Sequence, residues 1–422
     1  MVYLGFLVAL LLVGPLHAID TQDKQWITAW TTMPSNTDVV NMPPDAFADY
    51  TTNTTFLNTT IRQTMHMSLG GSAIRVRLSN AFGTSNLVIT AASVAFASSL
   101  GSPSIDTGTI RTLTFSGSPR FSIPVGGLAL SAMRRTERRY NVPSGESDDE
   151  LDAVGQRHSG GDYDRLFRKQ HGTLVSTTLG AAGRQQMDGR YFVSAIESYA
   201  ARDAAALFIL GDSLSDGYGS TQDANNRRPD LLLARMQQDN STSHIAVNNQ
   251  ANGGNRILSD VKGPSLLARI DRDVLAQTAI RKYALVFEGV NDLGKADATE
   301  DAQSAVGDAL ILALQQVALR LHAAQIPVFA ATITPFGGAA IDSPVRETQR
   351  QRVNEFIRTS RVFEAVVDFD VVVADPEEPT RLRAEYNMGD WLHLNTAGYT
   401  ALAEAFPLGI FEQFAAGVSR YN

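Results

Sequence analysis

Beyond residue 204 the chain carries five short, almost uninterrupted apolar runs, at 205–210, 245–248, 284–287, 328–333 and 365–369. A strand whose apolar residues do not alternate with polar ones is buried on both faces, and such strands belong to a parallel sheet covered by crossover helices. The stretches between the runs agree. Positions 229–238 (with Pro229 in the first turn), 265–277, 302–324 and 345–358 are spaced as helices, and a last helix is expected to begin near Thr396. Strand and helix alternating over about 200 residues predict an α/β domain, in which sites form just beyond the carboxyl ends of the strands.

The preceding region has a different rhythm. Apolar and polar residues alternate over 61–69, 74–78, 87–96, 109–115 and 121–123, punctuated by Gly70-Gly71, Ser79-Asn80 and Gly101-Ser102-Pro103. Short strands at this spacing predict an antiparallel β-sandwich or jelly roll. The pattern breaks at 134–169, where 16 of 36 positions are charged, a density that argues against a packed strand. A long solvated loop is expected there, with a gene-model error as the competing explanation. The resulting division is a signal peptide at 1–18, a β-rich domain at 19–200 and a second domain at 201–422.

The apolar run 3–14 is too short to span a bilayer and leads to Ala18, a small residue suited to a cleavage site, although no Lys or Arg precedes the run. No later stretch reads as a membrane span. Sequons at Asn53, Asn58 and Asn240 fit a secreted, extracellular glycoprotein. The absence of cysteine removes thiol nucleophiles and thiolate metal sites, and leaves stability to core packing. A net charge of -8 offers no basis for binding a phosphate backbone, so nucleic acid is excluded as a partner. The oligomeric state is not legible.

Residues able to support acyl transfer follow the predicted strands. Gly211-Asp212-Ser213-Leu214 places Ser213 at a strand-to-helix turn. A hydroxyl needs a base within hydrogen-bond reach, and the base needs an orienting partner. His66, His158, His171, His244 and His322 have no suitably placed carboxylate, whereas Asp390-Trp391-Leu392-His393 spaces an acid and an imidazole three apart. A developing oxyanion also needs donors, which Gly254 and Asn291 can supply through a backbone N–H and a side-chain NH2. Each motif taken singly also reads as ordinary turn or capping chemistry. Trp391 stands beside the acid–base pair as a substrate-stacking or a core tryptophan.

Read in order, Phe-Ile-Leu-Gly-Asp-Ser-Leu-Ser-Asp-Gly, Asn-Gly-Gly-Asn-Arg-Ile-Leu, Phe-Glu-Gly-Val-Asn-Asp and Asp-Trp-Leu-His-Leu-Asn resemble the four blocks of the SGNH (GDSL) hydrolase superfamily. The resemblance implies a three-layer α/β/α flavodoxin-like domain. It also implies Ser213 as nucleophile, a triad completed by Asp390 and His393, and an oxyanion hole from Ser213, Gly254 and Asn291, with no metal or organic cofactor. The N-terminal segments at 26–30 and 75–83 look like the β-rich extension of a two-domain secreted subgroup, from which the charged stretch 134–169 departs. No G-x-S-x-G elbow is present, which disfavours an α/β-hydrolase. The expected function is a secreted serine esterase acting through an acyl-enzyme on short-acyl or carbohydrate O-acetyl esters, its partner being a small-molecule or polysaccharide ester. The alternatives are a lipase or lysophospholipase acting on lipid esters, and a catalytically inactive extracellular carbohydrate-binding protein.

Overall fold

A computed structural model describes residues 23–35, 48–49, 54–56, 60–98, 105–135, 150–157, 172–176, 184–188, 191–222 and 224–418. The expected signal peptide and the sequons Asn53 and Asn58 lie outside them.

All five apolar runs become strands of one parallel sheet: Ala205–Gly211, Ile245–Asn249, Arg281–Phe287, Val328–Ala331 and Ala365–Val367. Numbered along the chain, they are ordered 2-1-3-4-5 across the sheet, every pairing parallel, which is the flavodoxin-like arrangement. The helices Arg228–Gln237, Glu300–His322, Pro344–Thr359 and Thr396–Ala405 supply the crossovers and cover. Both faces of the first strand are fully buried, which is why its sequence shows no alternation. Several boundaries differ from expectation, two of them with a change of conformation. The fifth strand stops at Val367, and Phe369 instead opens a short helix, Phe369–Val373. The helix expected over 265–277 becomes Leu266–Ile270 followed by a π-helical turn, Asp271–Leu275.

The helix Glu300–His322 corrects one expectation, being long and apolar enough to cross a membrane by length and composition. Here its Leu310, Leu314, Val317 and Leu321 are buried in the core cluster built on the parallel sheet.

The N-terminal region is antiparallel. One sheet joins Lys24–Thr31, Val193–Ala201, Ala73–Ser79 and Leu128–Leu130, and a second includes Thr60–His66 and Ser93–Phe96. The run expected at 87–96 divides into Leu87–Ile89 and Ser93–Phe96, and that at 109–115 shrinks to Arg111–Thr112. The expectation of a continuous loop across 134–169 is also corrected. Glu150–Arg157 pairs antiparallel with both Thr60–His66 and Ser93–Phe96. Backbone pairing on both sides holds this strand whatever the charge of its residues, and its register with Thr60–His66 shifts between Ala153 and Gln156, where a bulge breaks the simple alternation.

The two regions share a polar seam. The Asn248 side chain donates to the Thr28 carbonyl, and the Val247 N–H donates to the Ser68 hydroxyl, at 2.9 and 3.0 Å. Gln25 donates to the carbonyls of Arg202 and Ala204. Glu197, fully buried, takes Arg75, Arg77 and the Thr278 hydroxyl together. The second parallel strand, which leads into the Gly254 turn, is thereby fixed from both sides.

Candidate active site

The first parallel strand ends at Gly211, and the chain turns at once into the short helix Ser213–Asp216. A Cβ on Gly211 would stand 2.7 Å from both the Phe287 carbonyl and the Ser215 hydroxyl, so the turn packs too closely for any other residue. Asp212 caps the helix by accepting the Leu214 N–H at 3.0 Å. Ser213 follows as the first helical residue, 9% exposed.

The loop before Thr396 supplies the base. Asp390 Oδ1 accepts the backbone N–H groups of Leu392 and His393, at 3.0 and 2.8 Å, which curls the chain back on itself. Trp391 takes a left-handed conformation at φ 59° to permit this, and its N–H is held by Asn387 at 2.9 Å. The second carboxylate oxygen is then 2.6 Å from His393 Nδ1, while His393 Nε2 lies 2.8 Å from Ser213 Oγ. Tyr218 packs its ring 4.6 Å from the imidazole, centroid to centroid. Burial alone would raise the Asp390 carboxyl. The hydrogen bonds from the His393 ring and from the two backbone N–H groups outweigh it and hold the carboxyl below its ordinary value.

The other two expected positions lie on neighbouring loops. Gly254 occupies a turn after the second strand at φ 76°, and the adjacent Gly253 N–H donates to Asp216 at 2.9 Å. Asn291 sits in the first turn of the helix Val290–Lys295, after the third strand, and donates one amide hydrogen to the Asn255 carbonyl at 3.1 Å. Among the described residues, neither the Ser213 N–H nor the Gly254 N–H has an acceptor. The loops therefore present N–H donors beside a paired hydroxyl and imidazole, the combination that acyl transfer requires. Trp391 is half-buried, with the Arg381 guanidinium 4.2 Å above its ring. Asn240 stands exposed in the turn leading to the second strand, at the amino ends of the strands, whereas Ser213 lies beyond their carboxyl ends.

Sequence reasoning missed the buried carboxylates behind these loops. Asp292 accepts the N–H groups of Ile257 and Leu258, each at 3.0 Å, and burial raises its carboxyl to about 6. Asp212 is raised further, to about 7, first by burial and then by the charges of Asp292 and Asp216, against the opposing Leu214 hydrogen bond and Arg228. Its Oδ2 has no hydrogen-bond partner. Between an unfolded value near 3.8 and a folded value near 7 the native state holds the extra proton, so stability falls as pH rises through that window. Asp212→Asn keeps the acceptor for Leu214 and removes the titration. The free energy of unfolding read from urea titrations is expected to fall between pH 4 and pH 7 in the native protein, by up to about 4 kcal/mol on account of Asp212, and to fall less steeply in the variant, in which Asp292 still titrates. An equal slope in both would assign the effect to other groups.

Residues 209–401 match the GDSL-like lipase/acylhydrolase family. No curated protein matches the chain. Among solved structures, a catalytic mutant of an acetylxylan esterase from Geobacillus stearothermophilus is 21% identical, over 49% of this chain and 93% of that one, at a TM-score of 0.37. A GDSL-like lipase from Bacteroides thetaiotaomicron is 15% identical, over 50% of this chain and 89% of that one, at a TM-score of 0.33. Residues 209–401 are thus a GDSL-like lipase/acylhydrolase domain, and the protein is a carboxylic ester hydrolase.

Proposed function

We propose that the protein is a secreted esterase that cleaves short-acyl esters, carbohydrate O-acetyl esters in particular, through an acyl-enzyme on Ser213. The observation that carries the mechanism is the continuous pair of hydrogen bonds from Ser213 Oγ to His393 Nε2 and from His393 Nδ1 to Asp390. Asp390 fixes the tautomer with its proton on Nδ1, which leaves Nε2 free to accept the serine proton as Oγ attacks the ester carbonyl. The carbonyl oxygen becomes an oxyanion, received by the N–H groups of Ser213 and Gly254 and by the second amide hydrogen of Asn291. The imidazolium then gives its proton to the departing alcohol. In the second half, His393 takes a proton from water, whose oxygen attacks the acyl group and restores Ser213.

The rim of the site favours a sugar-like alcohol. The ring of Tyr218, 52% exposed, lies against the imidazole, and the Trp391 indole lies in the turn between Asp390 and His393. The exposed Tyr218 ring beside the imidazole offers a stacking surface to a pyranose ring, while one face of Trp391 is covered by Arg381. Secretion is supported by the apolar run at 3–14 and by the exposed sequon at Asn240.

Nitrophenyl esters from acetate to palmitate test this reading. kcat/KM is expected to be greatest for acetate and to fall with chain length, and an acetylated oligosaccharide is expected to release acetate. A preference for palmitate would replace the proposal with a lipid ester hydrolase. For secretion, the full chain expressed in a eukaryotic host is expected to accumulate in the medium; retention inside the cell would count against it.

A further inference from the structure

Arg269 lies in the helix Leu266–Ile270, where an arginine at an amphipathic position would ordinarily face water, yet its side chain is wholly buried. Each of its N–H groups has an acceptor. Nε donates to Asn255 Oδ1 at 2.9 Å, Nη1 to the Gln250 carbonyl at 2.7 Å and to Asp273 at 3.1 Å, and Nη2 to the Gly211 carbonyl at 3.4 Å and to Glu288 at 3.0 Å.

These acceptors are not scattered. Gly211 precedes Asp212-Ser213, Gln250 and Asn255 flank the Gly253-Gly254 turn, and Glu288 opens Gly289-Val290-Asn291. Asn255 extends the connection. Its side chain donates to the carbonyls of Lys262 and Pro264, at 2.8 and 2.9 Å, and its own carbonyl receives the Asn291 amide. One planar cation therefore touches all three loops that carry the N–H donors, without reaching the surface.

We infer that Arg269 is the positioning residue of the oxyanion hole, acting through Gly211, Asn255 and Glu288 to set the spacing of donors on three separate loops. The inference rests on the assignment of Ser213, Gly254 and Asn291 as those donors. A fork with five fixed N–H directions can hold three loops in register, whereas an ammonium, with three donors at a single point, cannot. A displacement of about 1 Å at the reacting centre is enough to cost on the order of 100-fold in rate.

The test compares p-nitrophenyl acetate with its thionoester, in which sulfur replaces the carbonyl oxygen. Sulfur is larger and a weaker acceptor, so a well-set hole strongly prefers the oxygen ester. The ratio of the two kcat/KM values is independent of how much protein is folded. Arg269→Lys is expected to lower kcat/KM for the ester on the order of 100-fold and to reduce the oxygen-to-sulfur preference at least roughly tenfold. Asn255→Asp, nearly isosteric and retaining the acceptor for Nε, provides the second variant should Arg269→Lys fail to fold; it is expected to reduce the preference in the same direction. Asn291→Ala is the control for the hole itself. An unchanged preference in the Arg269 and Asn255 variants alongside a reduced one in Asn291→Ala overturns the inference alone. An unchanged preference in Asn291→Ala instead overturns the assignment of the donors.

Discussion

Ser213→Ala is expected to lower ester hydrolysis by roughly 10⁴- to 10⁶-fold while leaving the thermal midpoint nearly unchanged. Ser213 is 9% exposed and, among the described residues, its hydroxyl pairs with His393 alone, so removing it takes away the attacking atom and little packing. His393→Ala should cost a similar factor, since the imidazole serves the reaction through that hydroxyl. The double variant separates this mechanism from a general disturbance. Groups acting on one proton transfer do not add, so the pair should be about as impaired as either single variant. Initial rates on p-nitrophenyl acetate, normalised to folded protein, provide the measurement. Activity within tenfold of the native protein in Ser213→Ala would remove Ser213 as nucleophile, and multiplying losses in the double variant would separate the roles of the two residues.

The sequence shows the α/β domain well because of where its strands lie. Ala205–Gly211 is buried on both faces and paired on both edges, so its apolar run is the direct imprint of its place inside the sheet. Boundaries were less legible where hydrophobicity continued through a change of conformation, as at Phe369, which is fully buried but helical. The antiparallel strands were harder. Val193–Ala201 is buried along most of its length yet contains Glu197, and a buried charge paired with two arginines from a neighbouring strand has no local signature. Glu150–Arg157 was hidden by its own acids and arginine, because a strand paired on both sides depends on backbone hydrogen bonds that composition does not reveal.

The site divides in the same way. Residues touching one another across a turn leave a spacing behind: Asp390 and His393 are three apart because Asp390 must accept the Leu392 and His393 N–H groups while its other oxygen meets the ring. Arg269 left none. Its partners lie at Gly211, Gln250, Asn255, Asp273 and Glu288, and only the fold gathers them. Periodicity marks a helix, but it does not distinguish a charged side chain in solvent from one sealed among carbonyls.

Asp390→Asn is expected to lower kcat by about 10⁴-fold with KM and fold nearly intact, and the reason lies in which oxygen is already occupied. Asp390 Oδ1 accepts two backbone N–H groups, from Leu392 and His393, and only an oxygen can do so. An asparagine must therefore keep its carbonyl oxygen there and turn its NH2 toward His393 Nδ1. A donor facing Nδ1 requires that nitrogen to accept, which moves the imidazole proton to Nε2, where it can no longer take the proton of Ser213. The ring stays in place, held by Tyr218 and the unchanged loop, but in the wrong tautomer. Asp390→Ala lacks that wrongly directed donor, and water can restore some of the productive tautomer; it should therefore be impaired no more than the asparagine variant despite removing more atoms. Steady-state kinetics of the two variants decide the matter. An asparagine variant within tenfold of native kcat, or an alanine variant far slower than it, would show that Asp390 serves the loop's shape rather than the proton on the ring.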